Sequence, residues 1–144
     1  MKIKRVKNGY AFELYNGASG AVALYQDDVR ALQTAKAAIK AGISVLLRKA
    51  KVTSGTIETV HIAGSFGASL DAGSLKNIGL IDEGWAGKTR FAGDAALDGA
   101  ALVLGSDEKK AFAEKTALSA KYVPLSGSAH FEEEFIKNMN FQTV

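Results

Sequence analysis

Thr59-Val60-His61-Ile62-Ala63-Gly64-Ser65-Phe66-Gly67-Ala68-Ser69-Leu70 is the stretch around which the rest of the chain is organised. Its apolar first half predicts a short buried strand, and Gly64-Ser65-Phe66-Gly67 predicts a tight turn whose glycines allow a ligand to approach the backbone. A helix beginning near Ser69 or Asp71 would direct free N–H groups at whatever lies over the turn. The unit is either a nucleotide or anion site or a connection whose glycines serve packing, and the stretch alone leaves both open.

Length and composition predict one compact domain over residues 1–144. The chain is 47% hydrophobic and 23% charged, which is enough for a core and too apolar for a disordered protein. Lys plus Arg exceed Asp plus Glu by 18 to 15, and the resulting charge of +3 is dispersed, so we expect no nucleic-acid partner. No apolar run reaches the ~20 residues of a membrane span, and we expect a cytoplasmic protein without a membrane partner.

The residue types also limit the chemistry that the chain can perform by itself. There are no cysteines and only two histidines, His61 and His130, so we expect neither a cysteine-held cluster nor a histidine-based metal site. Neither histidine has a visible nucleophile partner. We therefore predict no catalytic residue and no metal ligand in this chain.

The first half of the chain predicts a β-meander followed by a long helix. Residues 3–6, 10–15 and 21–25 are typical of short strands, with a tight hairpin turn at Asn8-Gly9. From Asp27 to about Val52 the period becomes helical, and an inward stripe is predicted that contains Val29, Leu32, Ala35 or Lys36, Ile39, Ile43, Leu46 and Ala50.

One polar row on this helix is a candidate binding surface. Gln33, Lys36 and Lys40 follow each other at spacings of three and four residues, so they share one helix face. The row is either a solvated face or a set of amide and ammonium donors for a ribose or phosphate beside the glycine turn.

The second half predicts further short elements. A short helix over residues 71–77 and a buried elbow at residues 78–81 precede a polar segment, residues 82–88, which we place on the surface; its Trp85 is either core cover or a partner contact. A strand over residues 90–92 then leads through Gly93-Asp94, a predicted N-cap, into a helix over residues 95–104. Another helix, capped at Ser106, should turn Phe112 and Leu118 inward, and residues 122–125 suit an edge strand.

Four segments in this order resemble the C-terminal region of the reductive activators of corrinoid proteins. They are residues 27–42 (DDVRALQTAKAAIKAG), 61–67 (HIAGSFG), 78–81 (IGLI) and 93–100 (GDAALDGA), and the resemblance covers nearly the whole chain after Ala21. It implies an α/β fold of the actin-like ATPase, ribonuclease H-like type, with a mixed sheet of the meander and the strands at Val60 and Phe91, and helices packed over it.

The resemblance also implies an activity. Members of this family return cob(II)alamin to cob(I)alamin in a corrinoid protein of a methyltransferase system, using ATP with Mg²⁺ and a [2Fe–2S] cluster in a separate N-terminal domain. It implies that Gly64, Ser65, Phe66 and Gly67 form an adenosine-binding turn. Gln33, Lys36 and Lys40 would then lie on the opposite wall of that pocket.

Neither phosphate loop of this ATPase superfamily is found in the chain. We therefore expect the C-terminal part of a larger activator, inactive alone, with a corrinoid protein as partner and a homodimer as a further arrangement. Two alternatives stay open: a non-catalytic docking or dimerisation module of the same fold, and a small-molecule kinase relative.

Overall fold

Five strands and five helices make up the described part of the chain. The computed structural model describes residues 3–64, 70–125 and 127–141. In chain order the elements are β1 (Ile3–Val6), β2 (Gly9–Gly17), β3 (Gly20–Tyr25), α1 (Gln26–Ala50), β4 (Val60–Ile62), α2 (Ala72–Asn77), β5 (Thr89–Phe91), α3 (Ala95–Gly105), α4 (Asp107–Ser119) and α5 (Ala129–Lys137). Two short 3₁₀-helices, Ser54–Thr56 and Glu83–Lys88, lie between them.

The meander forms as predicted, with β1, β2 and β3 antiparallel and in sequence order. Gly9 and Gly20, the first residues of β2 and β3 directly after the two turns, have φ of 128° and 117°, a region that favours glycine. β3 then runs directly into α1, whose first turn is fixed when the Tyr25 backbone N–H donates to Asp28 Oδ2 at 2.9 Å. At 25 residues, α1 extends about 37 Å from the meander at 1.5 Å per residue.

The predicted single mixed sheet is wrong, because the described residues form two separate sheets. β4 and β5 pair in parallel, with Val60 opposite Thr89 and Ile62 opposite Phe91, and neither pairs with the meander. The length of α1 carries the chain away from the first sheet before β4 begins. The strand predicted over residues 122–125 is also absent from the described structure; Pro124 lacks the N–H that a strand would share with a neighbour.

The buried face of α1 differs from the predicted apolar stripe. Leu32, Ile39 and Leu46 are 41%, 45% and 51% exposed. The buried positions are Lys36, which the predicted stripe offered as an alternative to Ala35, and three positions outside the stripe, Ala37, Ala41 and Gly42. α5 and the segment before it pack along this small-residue face, where a Cβ added to Gly42 would lie 3.4 Å from Leu125 Cδ1. Close approach of the two segments therefore selects small side chains, and the larger apolar ones lie on the other faces.

α1 ends at Lys51, which has φ 57° and ψ 38° and is the one non-glycine residue of positive φ among those described. Because a Cβ is unfavourable in this region, we expect Lys51→Gly to raise the unfolding free energy by about 0.5–1 kcal/mol. Urea unfolding followed by circular dichroism measures it. Lys49→Gly, two residues earlier and inside the helix, should lower the unfolding free energy by about 0.5–1 kcal/mol. Equal effects of the two substitutions would contradict the left-handed C-cap.

The core lies where α1, α2 and the parallel pair meet. Leu75, Ile81 and Trp85 are buried together, and the partly buried residues packed on them are Ile43, Leu47, Ile57, Val60, Ile62, Ala72 and Leu80. Of the two alternatives for Trp85, core cover is the one observed: Trp85 is 5% exposed, and its Nε1 donates to the Ser54 carbonyl oxygen at 2.9 Å. The second 3₁₀-helix turns the indole inward although no other large side chain lies in that segment.

α3 and α4 form a helical pair whose ends are capped as predicted. Asp94 Oδ1 accepts from the Leu97 N–H, and Ser106 Oγ accepts from the Lys109 N–H. Neither helix buries a residue, however. Phe112 and Leu118 are 68% and 89% exposed, so the prediction that they point inward is wrong for the described structure. Their apolar surface has no covering element among the described residues.

Candidate functional site

Two glycine turns lie side by side at the carboxyl ends of β4 and β5. The Ala92 N–H donates to the Ile62 carbonyl oxygen at 2.9 Å, which extends the parallel pair by one hydrogen bond. The Gly64 N–H then donates to the Gly93 carbonyl oxygen at 2.7 Å. In open α/β sheets this edge is where ligands bind, because the connections to the following helices diverge there.

Gly64 and Gly93 leave their backbone open within the described structure. Gly64 and Gly93 have φ of 112° and 61°, and a Cβ built on either would meet no atom within 4 Å among the described residues. Packing against a neighbour therefore does not explain the glycines, whereas the backbone conformation does. A flat group can approach this surface without meeting a side chain at either position.

The negative charge of Asp94, next to the two glycines, favours the ribose of a nucleotide over its phosphates. Asp94 follows Gly93 and caps the first turn of α3 with its carboxylate. That negative charge occupies the position where a phosphate would otherwise gain from the helix dipole. A carboxylate is instead suited to accept a hydrogen bond from a ribose hydroxyl. The edge thus suits an uncharged nucleoside group better than a phosphate.

Lys36 is the most deeply buried of the predicted site residues on α1. It is 2% exposed, and its Nζ donates to the Asn140 carbonyl oxygen at 2.6 Å and lies 5.0 Å from the centroid of the Phe141 ring. A Cβ on Gly79 would stand 3.8 Å from the same Nζ, so the elbow after α2 also lies beside it. Burial, and then the positive charge of Lys40, lower the pKa of Lys36 below its usual 10.5.

Lys40 is held by a network on the next turn of α1. Its Nζ pairs with Asp82 Oδ1, and Ser54 Oγ donates to Asp82 Oδ2. Burial acts to raise the pKa of Asp82, but the hydrogen bonds from Lys40 and Ser54 and the charge of Lys40 outweigh it and lower that pKa below 3.8. Gln33, one turn before Lys36, is partly buried, and its side chain has no hydrogen bond to the described residues.

The predicted site residues lie on elements that pack together. Ile43 and Leu47 of α1 and Val60 and Ile62 of β4 contact the same core cluster. The described contacts nevertheless join Gly64 to Gly93, Lys36 to Asn140 and Lys40 to Asp82, and none joins Gly64 to the polar row of α1. Ser65, Phe66 and Gly67, the rest of the predicted turn, lie outside the described residues. The adenosine pocket therefore stays a prediction.

Sequence reasoning missed the partners of the two lysines. Asn140 and Lys36 are separated by 104 positions, and Asp82 and Lys40 by 42. No local pattern links residues so far apart. The one signal for Asp82 is an acidic residue directly after the apolar elbow at residues 78–81, where a buried partner would be required.

Neither a metal-binding cluster nor a membrane-spanning helix is found among the described residues. Within the described ranges, no group of three or more His, Asp or Glu side chains is arranged to hold a metal ion. The chain has no cysteine and therefore supplies no thiolate ligand for an iron–sulfur cluster. None of the described helices is long and apolar enough to cross a membrane.

Comparison with known proteins agrees with this architecture. Residues 1–144 match the family described as the C-terminal domain of RACo, the ASKHA domain. The corrinoid activation enzyme RamQ of Eubacterium limosum is 31% identical over 120 residues, which are 83% of this chain and 20% of that protein. A solved structure of a reductive activator for corrinoid, iron-sulfur protein superposes with a TM-score of 0.87 at 29% identity, over 96% of this chain and 23% of that one.

These matches confirm the α/β fold of the actin-like ATPase type. The chain spans about a fifth of the length of these two relatives. With the family matched over residues 1–144, the chain belongs to the C-terminal ASKHA domains of the reductive activators of corrinoid proteins.

Proposed function

We propose that this chain is the nucleotide-binding C-terminal domain of an ATP-dependent activator that returns cob(II)alamin to cob(I)alamin in the corrinoid protein of a methyltransferase system. The relatives are named as activators of corrinoid proteins, and the chain corresponds to about a fifth of each. The electron would enter through a [2Fe–2S] cluster outside this chain. Chain-internal chemistry is then limited to binding and orienting the nucleotide.

The pair of open glycine turns is the observation that carries the proposal. The hydrogen bond between Gly64 and Gly93 joins these two glycines at the carboxyl edge of the parallel pair, and no atom of the described residues covers either backbone. An adenosine group would lie over them, with Asp94 placed to accept from a ribose hydroxyl. Gln33, Lys36 and Lys40 would contribute from α1.

ATP with Mg²⁺ would supply the free energy for the uphill electron transfer in the complete activator. Neither phosphate loop of the superfamily is found in this sequence, so the Mg²⁺ and the phosphates would be bound mainly outside this chain. This domain would act by binding the nucleoside end and thereby favouring one arrangement of the lobes over another. A different affinity for the corrinoid protein in each arrangement would couple nucleotide state to partner binding.

Calorimetric titration of the chain with ATP and ADP, up to millimolar concentration, tests nucleotide binding. We expect binding to the unmodified chain and a roughly tenfold or greater loss of affinity in Gly64→Val, because a branched side chain would cover the turn and disfavour its positive φ. Gly20→Val is the matched control. Gly20 has φ 117° and equally open surroundings but lies in the β2–β3 turn.

The control variant should therefore suffer the same kind of backbone strain and keep its nucleotide affinity. Equal losses in both variants would assign the effect to strain, and no binding to the unmodified chain would contradict a nucleotide site formed by this chain.

A second candidate function, a docking or dimerisation module of the same fold, is favoured by the uncovered surface of α3 and α4. Leu104 and Leu118 are each 89% exposed, and Leu97 is 66% exposed. Apolar side chains grouped in this way are typical of protein interfaces. If the chain served only to form a homodimer or to contact the corrinoid protein through these helices, the titration would show no nucleotide binding. Leu104→Glu would then weaken the association.

A further inference from the structure

A second cleft lies at the other end of α1, outside the nucleotide site proposed above. It is open, has a volume of about 680 Å³, and separates the last turns of α1 from the start of α5. Its lining residues are Val45, Arg48, Lys49, Lys51, Ser128, Ala129 and His130. Arg48 follows Lys40 by eight residues, which places the cleft roughly 12 Å further along the helix axis than the Lys40–Asp82 pair.

The charge of this cleft is uncompensated within the described structure. All ion pairs between described residues involve other side chains, so Arg48, Lys49 and Lys51 have no acidic partner among the described residues. The carboxyl end of α1 contributes only about half a negative charge through the helix dipole, against three cationic side chains. Three unpaired cations around one concave space exceed what dipole compensation requires.

The facing wall is held in place by its own hydrogen bonds. His130 Nε2 lies 3.0 Å from Ser44 Oγ, which ties the ring to α1, and Ser128 Oγ accepts from the Phe131 N–H. The two walls are also joined by the packing of α5 along α1. The cationic side chains thus share the cleft with a facing wall whose geometry is defined, and Val45 of α1 and Ala129 of α5 are the apolar residues of its lining.

We propose that this cleft binds a phosphoryl group of a small anionic ligand. A guanidinium presents a planar fork of N–H donors that matches phosphoryl oxygens, and the two ammonium groups add point charges. The ligand's charge would be matched by groups that have no other partner. The volume exceeds that of one phosphate and leaves room for the remainder of a small phosphorylated molecule against the apolar wall.

Inorganic pyrophosphate is the probe, titrated into the ¹⁵N-labelled chain at constant ionic strength with amide shifts as the readout. We expect saturable shifts concentrated at Ser128, Ala129 and His130. Arg48→Gln/Lys49→Gln should weaken binding by about tenfold or more, because two charge-assisted contacts are removed. Lys109→Gln/Lys110→Gln removes the same number of charges from exposed positions of α4 and should change the affinity by less than about twofold.

The proposal would be overturned if the amide shifts did not saturate and were spread over all basic residues. An equal loss of affinity in both double variants would overturn it as well, and general charge screening would then be the cause. Saturable shifts at Gly64 and Gly93 alone would also overturn it, while leaving the proposed nucleotide site intact. Citrate at matched charge distinguishes a phosphoryl site from a general oxyanion site, since equal affinity for citrate would contradict phosphoryl selectivity. Circular dichroism confirms that each variant is folded.

Discussion

Replacing Trp85 with alanine should lower the unfolding free energy of this chain by about 3–5 kcal/mol, the usual cost of truncating a buried aromatic residue. The indole is 5% exposed and contacts the cluster of Leu75 and Ile81, so a cavity would open between α2 and the parallel strands. The Ser54 carbonyl oxygen would also lose the N–H that it accepts from. Urea unfolding followed by far-ultraviolet circular dichroism measures the change without relying on the tryptophan signal.

Two further variants separate the contribution of the indole N–H and that of burial from the loss of an aromatic side chain as such. Trp85→Phe keeps an aromatic side chain but not the indole N–H, and it should lower the unfolding free energy by a smaller amount, about 1–3 kcal/mol. Phe112→Ala truncates an aromatic side chain that is 68% exposed, and it should change the unfolding free energy by less than about 0.5 kcal/mol. A loss for Trp85→Ala no larger than for Phe112→Ala would show that the indole is not part of the core.

The sequence left Trp85 open between core cover and a partner contact for a physical reason. The segment around it, Glu83–Lys88, is polar and rich in glycine, which on average indicates a surface loop. Whether one large side chain in such a segment turns inward depends on the surface it faces. That surface comes from residues distant in sequence, including Leu47 and Ile57.

Local signals predicted the elements better than their packing. The meander, α1, the caps at Asp94 and Ser106, and the strands and helices of the second half from β4 to α4 could be predicted because turns, caps and periodicity depend on adjacent residues. The buried face of α1 could not. Its neighbour α5 is separated from it by about eighty positions, and close packing favoured Ala37, Ala41 and Gly42 over the larger apolar residues.

The same limit applies to the candidate site. Gly64 could be predicted from one stretch, and the structure adds that its partner is Gly93, from the second strand–turn–helix unit. Lys36 and Lys40 could be assigned to one helix face, but spacing along α1 does not reveal that Asn140 and Asp82 bind their ammonium groups. A lysine on a helix face carries the same sequence signal whether its partner is solvent, a ligand or a distant acid.

Asp82→Asn should lower the unfolding free energy by about 1–3 kcal/mol at neutral pH, because it removes a charge-assisted hydrogen bond and leaves Lys40 without its partner. The carboxylate links α1, through Lys40, to the loop at Ser54. Asp98→Asn removes an exposed carboxylate of α3 without a described side-chain partner and should change the unfolding free energy by less than about 0.5 kcal/mol.

The pH dependence tests the cause of that difference. Because the folded-state pKa of Asp82 is below its usual 3.8, the unfolded state binds the proton first as the solution becomes acidic. The stabilisation by this carboxylate is therefore complete above about 3.8 and is lost as the pH falls from there through the folded-state pKa. The difference in unfolding free energy between the unmodified chain and Asp82→Asn should shrink over that interval, as measured by urea unfolding at a series of pH values. A difference that stays constant down to the acid end would mean that the substitution acts through packing and not through the charge of Asp82.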